Sequence, residues 1–198
     1  MKLPSPGLWA GLVGFLLAAF AGSAAPTANQ SALSAASAQR KVHYLHANAA
    51  SAHPNPAPTE FTEKEINAYL ASGNIQFPAG VSSVELRETP GVVTGSTRVD
   101  FDQLRPGRGS VNPLLAIFSG VHDVVVVAHA RGEGGAGIVH VDSVSLDGVE
   151  VPRFVLQLFV ETFIQPKNPG IGLDSKFNLP DRIETAAVEL HKLSVTQR

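Results

Sequence analysis

Residues 81–102 read VSSVELRETPGVVTGSTRVDFD, two alternating runs about a Thr89-Pro90-Gly91 turn. Val84, Leu86, Val93, Val99 and Phe101 share one phase, and Glu85, Arg87, Thr94 and Arg98 share the other. Successive strand side chains point to opposite faces, so this pattern predicts an antiparallel pair with one apolar and one wet face. A second hairpin follows at 121–148, VHDVVVVAHARGEGGAGIVHVDSVSLDG. A Gly134-Gly135 tip would set Ala130 opposite Val139 and Ala128 opposite Val141. A third strand pair is expected within RIETAAVELHKLSVTQ, residues 182–197.

Helices interrupt these strands. FTEKEINAYLASG, residues 61–73, opens with the capping box Thr62 and Glu65. Its apolar face is Ile66, Tyr69 and Leu70, and Gly73 suits the stop. NPLLAIFSG, residues 112–120, predicts a helical turn with Asn112 as cap and Pro113 first inside it. PRFVLQLFVETFIQP, residues 152–166, predicts a longer helix starting at Pro152. Strand runs interrupted by helices indicate an α+β fold: three hairpins packed on one long apolar helix and shorter helices.

The helix at 152–166 carries the functional question. Arg153, Gln157, Glu161 and Gln165 form one narrow polar stripe, and apolar side chains fill most of the remaining circumference. A surface helix needs an apolar stripe only about 100° wide. At about 1.5 Å per residue this helix is ~20 Å long, short of the ~30 Å hydrocarbon core of a bilayer. It is therefore either buried in the domain, set against a lipid, or exposed for a partner. The wall candidates for a hydrophobic ligand are Phe154, Leu158, Phe159, Phe163 and Ile164, with Arg105 and Arg108 in a basic loop for a headgroup.

Composition narrows the function classes. Lys+Arg 15 against Asp+Glu 17 leaves no basic surplus for nucleic acid. The absence of cysteine removes disulfides, thiol chemistry and cysteine-ligated zinc. Residues 1–25 are laid out as a secretory signal peptide: Lys2, an apolar run Leu8–Phe20, then Ala21-Gly22-Ser23-Ala24-Ala25. Cleavage is expected after Ala24 or Ala25, giving a periplasmic or extracellular protein; an uncleaved membrane anchor is the alternative. Residues 26–59 are rich in Ala, Ser, Asn, His and Pro and are expected to be a flexible tether. A single α+β domain is expected over 60–198.

Catalytic signals are sparse. Gly132–Gly137 spells GxGxxG, but a valine-rich strand follows where a phosphate-binding helix is needed, so it reads as a hairpin tip. Ser119, His122 and Asp123 hold the letters of a hydrolase triad, yet adjacent His and Asp on a strand point apart. No HExxH occurs. His129 and His140 would be directly opposed in the Gly134-Gly135 register, with Asp142 one pair along. Those three are the sharpest metal-ligand candidates, ahead of His43, His46 and His53 in the tether, and a one-residue slip would separate them. No cofactor is expected, and an enzyme is not; a metal-dependent enzyme at these histidines is the remote alternative.

The stretches VSSVELRETPGVVTGSTRVDFD, VSLDGVEVPRFVLQLFVETFI and IETAAVELHKLSVTQ together resemble the small exported bacterial lipid-binding proteins of the LmeA-like group, whose fold is akin to the tubular lipid-binding domains. The resemblance covers most of the chain from about residue 60. It implies a strongly curved antiparallel sheet partly wrapping a helix, with a groove for acyl chains, and a binding role without catalytic residues. The expected function is thus an exported binding protein for a lipid or other hydrophobic ligand, in envelope lipid transport or maintenance, with peripheral membrane contact. The alternative is a periplasmic assembly or adaptor module whose apolar helix docks an envelope protein partner.

Overall fold

The structure, a computed structural model, describes residues 28–104, 112–166 and 168–198. Among them four α-helices flank one nine-stranded antiparallel sheet. In chain order these are α1 Ala28–Ala49, β1 Thr59–Thr62, α2 Glu63–Ala71, β2 Val81–Thr89, β3 Val92–Asp100 and α3 Phe101–Leu104. A 3₁₀ turn at Pro113–Leu115 precedes β4 Val121–Glu133, β5 Ala136–Leu146, β6 Val149–Glu150 and α4 Arg153–Phe159. β7 Asp174–Asn178, β8 Ile183–Glu189 and β9 Lys192–Gln197 follow.

The strand order is β1-β9-β8-β4-β3-β2, with β5 on the other side of β4 and β6 and β7 on β5. β4 is the hub. It pairs β3 from Val121 to His129, then β8 at Arg131 and Gly132. The handover sits at the β2–β3 turn, where the Gly91 amide reaches the Val188 carbonyl (2.9 Å) and the Gly91 carbonyl accepts the Ala130 amide (3.0 Å). The β4–β5 register is the one the glycine tip predicts: Ala130 faces Val139, Ala128 faces Val141 and His129 faces His140. Gly134 and Gly135 both have positive φ, as a tight two-residue reversal requires.

The Gly132–Gly137 pair lets other elements close over this tip. A Cβ on Gly132 would lie 2.7 Å from the Ala186 Cβ and 2.8 Å from the Ala186 backbone nitrogen. Gly132→Val should therefore push β8 off β4 and destabilise the fold by roughly 1–3 kcal/mol. Urea unfolding reads this directly, and a change under about 0.5 kcal/mol would contradict the close approach.

Three expectations differ from the structure. The stretch from 28 to 49 is not a tether. It is a 22-residue helix docked on the domain. Ala38 and Leu45 are buried with Phe61 and Val195, and Val42 packs beside them. Asn48 Nδ2 donates to Gln197 Oε1 (2.8 Å), and Gln197 Nε2 donates back to the Leu45 carbonyl (2.8 Å). The helix between the two prolines is not α-helical throughout: seven α-helical residues, Arg153–Phe159, lead directly into a π-helical turn at Val160–Ile164 in which the Gln165 amide reaches the Val160 carbonyl (2.9 Å). The sheet is also larger than three hairpins, because β1, β6 and β7 join it, and the longest helix is α1. The signal segment 1–25 lies outside the described residues. No helix among the described residues is long and apolar enough to cross a membrane.

The apolar interior has two ends. At one, Val99, Phe101, Leu115, Phe118, Val124 and Val141 pack with Val155 and Leu156 of α4. The rings of Phe101, Phe118, Phe159 and Phe163 form a chain of contacts there, the closest being Phe118–Phe159 at 4.3 Å between centroids. At the other end α1 and α2 cover the sheet, and the packing is looser.

Candidate functional site

Under α1 and α2 the protein atoms leave a cavity of about 440 Å³. That is within the roughly 300–1,000 Å³ usual for small-molecule sites. One wall is Ala38, Val42 and Leu45 of α1 with Ile66, Tyr69 and Leu70 of α2. The opposite wall is the inner face of the sheet, including Leu86, Val93, Val126, Val139, Val188 and Leu193. The cavity exists because the facing residues are small. Gly95, Ala130, Gly132, Gly137 and Ala186 line the sheet side, and Ala38 stands across from them on α1. Val126 belongs both to the filled core and to the cavity wall, so it marks the boundary between them.

Polar groups on the lining are few. His46 Nδ1 and Asp181 Oδ1 are joined by a hydrogen bond (2.8 Å) at a solvent-accessible edge. Burial raises the Tyr69 phenol, which stays neutral at physiological pH. Glu88 is different. It is 2% exposed; among the described residues no N–H or hydroxyl donor reaches either carboxyl oxygen, and its side-chain partner is the Glu63 carboxyl. Burial, then the neighbouring Glu63 carboxylate, push its pKa up to about 7.

The edge strand β2 is held by side chains of α2, which places Glu88. Asn67 accepts the Leu86 amide at Oδ1 (2.6 Å) and donates from Nδ2 to the Leu86 carbonyl (2.7 Å). Glu63 Oε2 accepts the Glu88 amide (3.3 Å) and the His191 Nδ1–H (2.8 Å). These contacts occupy backbone groups that an edge strand would otherwise present to another chain. α2 is anchored in turn by the expected capping box at Thr62 and Glu65. Lys41 Nζ of α1 reaches both Glu65 oxygens (2.6 Å each) and Ser37 Oγ donates to Oε1 (2.6 Å). Burial raises the Glu65 carboxyl, but the hydrogen bonds from Lys41, Ser37 and the Thr62 amide outweigh it and lower the pKa to about 2.

The ligand candidates read from the sequence lie elsewhere. Leu158, Phe159 and Phe163 pack on the filled core, Phe154 is 64% exposed and Ile164 is half-buried. None of the five lines the cavity. The apolar helix is mostly core because the Phe101–Phe118 end of the sheet needs its side chains. Arg105 and Arg108 lie outside the described residues. Glu88 was the missed residue, although its signal is in the sequence. It continues the Val84, Leu86 phase, the phase of the buried face.

His129 and His140 are paired as expected, but carboxylates claim their ring nitrogens. His129 Nδ1 meets Asp142 (2.8 Å), and His140 Nδ1 meets Asp174, which Arg153 also holds (2.7 Å). No group of three or more His, Asp or Glu side chains among the described residues is arranged to hold a metal ion. His122 makes no relay with Ser119. Its Nε2 faces the Ser119 carbonyl (2.8 Å) and its Nδ1 faces Asp147 (2.7 Å), while the Ser119 hydroxyl donates to Ala116. The Asp147 hydrogen bond raises the His122 pKa. No protein-family model, curated protein or solved structure matches the chain.

Proposed function

We propose that this chain is an exported binding protein for a lipid or other hydrophobic ligand, which it holds between α1–α2 and the inner face of the sheet. The carrying observation is the cavity of about 440 Å³, walled by aliphatic side chains on both sides. An apolar ligand placed there gains roughly 25 cal/mol per Å² of surface removed from water, less the cost of ordering it. The signal-like segment at 1–25 supports export, and the likeness of the 81–102 and 144–164 stretches to LmeA-like proteins supports a role in envelope lipid transport or maintenance.

The full chain should bind the neutral apolar fluorophore N-phenyl-1-naphthylamine with a rise in emission. Ala130→Trp, which places an indole in the cavity, should weaken binding roughly tenfold or more. Unchanged binding in that variant would move the site elsewhere, and no binding by the wild type would remove this reading. The adaptor reading rests on a different observation. Phe154 of α4 is 64% exposed, and Leu114 and Ile117 in and beside the neighbouring 3₁₀ turn are 47% and 44% exposed. It is favoured only if the cavity fails that test.

A further inference from the structure

Among the described residues, the only buried side-chain nitrogen or oxygen atoms without a hydrogen-bond partner are the two carboxyl oxygens of Glu88. A buried carboxyl in this state is costly, and a valine or leucine would fit the strand pattern equally well. Glu88 lines the cavity, in phase with Leu86 on the inner face of β2.

The charges around it have one dominant sign. Glu63 of α2 stands beside Glu88, with its Oε2 on the Glu88 amide. His191, from the β8–β9 turn, is taken up by Glu63 (2.8 Å) and gives its backbone N–H to the Glu88 carbonyl (3.1 Å). The basic side chains on the cavity lining belong to His46 and Arg131. His46 is bound to Asp181, and Arg131 is an exposed residue on the outward phase of β4. An anionic headgroup entering the cavity would meet a carboxyl and no inward cation. A cationic one would meet the Glu88 carboxyl, whose nearest side-chain partner is the Glu63 carboxyl, also an acid.

We infer that the cavity takes an amphiphile with an apolar chain and a protonated amine at one end, and that Glu88 receives the ammonium. This rests on the reading of the cavity as a hydrophobic-ligand site. The Glu88 pKa of about 7 adds a signature. Near pH 7 part of the Glu88 population carries a proton, and pairing with an ammonium expels it, so binding releases protons. A neutral alcohol leaves that proton in place.

The test is calorimetric titration of the full chain at pH 7 with dodecylamine, 1-dodecanol and dodecanoate, each in two buffers of different ionisation enthalpy. Wild type, Glu88→Gln and Glu88→Leu are compared, so that one variant keeps the side-chain shape if the other perturbs the strand. Dodecylamine should bind the wild type at least about tenfold more tightly than dodecanoate and should release protons. Both the preference and the proton release should disappear in Glu88→Gln. Equal affinities in the wild type, or a preference that survives in both variants, would overturn the assignment. If dodecylamine fails to bind where N-phenyl-1-naphthylamine binds, the headgroup assignment alone is wrong. If neither binds, the cavity reading falls with it.

Discussion

Glu88→Leu is expected to stabilise the fold by up to about 3 kcal/mol above pH 8 and by little at pH 4.5. The Glu88 pKa rises from 4.5 to about 7 on folding, first through burial and then through Glu63. Between those values the native state holds a proton that the unfolded chain releases. Stability associated with this group is therefore fully present below pH 4.5 and is lost as pH rises through about 7. Leucine has no proton to lose and packs against the same Leu86 and Val93 neighbours on the cavity wall. Urea unfolding of both proteins at pH 4.5, 6 and 8.5 should show a gap that opens across this window. A constant gap would mean that Glu88 does not titrate with folding. The same buried carboxyl would then be a poor receptor for an ammonium, so this experiment bears on ligand class as well as stability.

Lys41→Met is expected to destabilise the fold by about 2 kcal/mol at pH 7. Glu65 is 8% exposed, and among the described residues Lys41 supplies its only positive partner. Removing the ammonium leaves a buried carboxylate with the Ser37 hydroxyl and the Thr62 groups alone. The cost is set below that of a fully buried pair because the Lys41 side chain is 32% exposed. The pH dependence has the opposite sign from that of Glu88. With the Glu65 pKa lowered to about 2, its contribution is present above pH 4.5 and is lost as pH falls through about 2. The variant lacks most of that contribution, so the two stability curves should converge at acid pH. Amide hydrogen exchange should locate the loss in α1 and the first turn of α2. Protection unchanged in α1 would show that the helix is held by Leu45 and Gln197 without the ion pair.

These two residues also show how far the sequence could be read. The hairpins were legible because their signals are local: alternation in 81–102, and the Gly134-Gly135 tip that fixes His129 against His140. α2 was legible from Thr62 and Glu65, two residues three apart that carry their own capping chemistry. α1 was hidden because its buried face is Ala35, Ala38, Val42 and Leu45, with one large side chain among them. Such a face is too weakly apolar to read as amphipathic against an Ala/Ser background. It is buried by Phe61 and Val195, which lie far along the chain. The cavity was hidden for a related reason. Gly95, Ala130, Gly137 and Ala186 are unremarkable singly, and only the sheet pairing brings them onto one face. The width of the apolar face on the 152–166 helix left burial, lipid contact and partner contact open, and the five residues read from it as ligand wall do not line the cavity. Phe159 of that helix completes an aromatic cluster with Phe101 and Phe118, which no spacing in the sequence discloses.

The central claim is that the space between α1 and the sheet holds a hydrophobic ligand. Native mass spectrometry of the full chain, purified without detergent and then incubated with a lipid extract, tests it most directly. One bound amphiphile per chain is expected, lost in Ala130→Trp. A bare chain in the wild type, or an adduct that persists unchanged in Ala130→Trp, would contradict it.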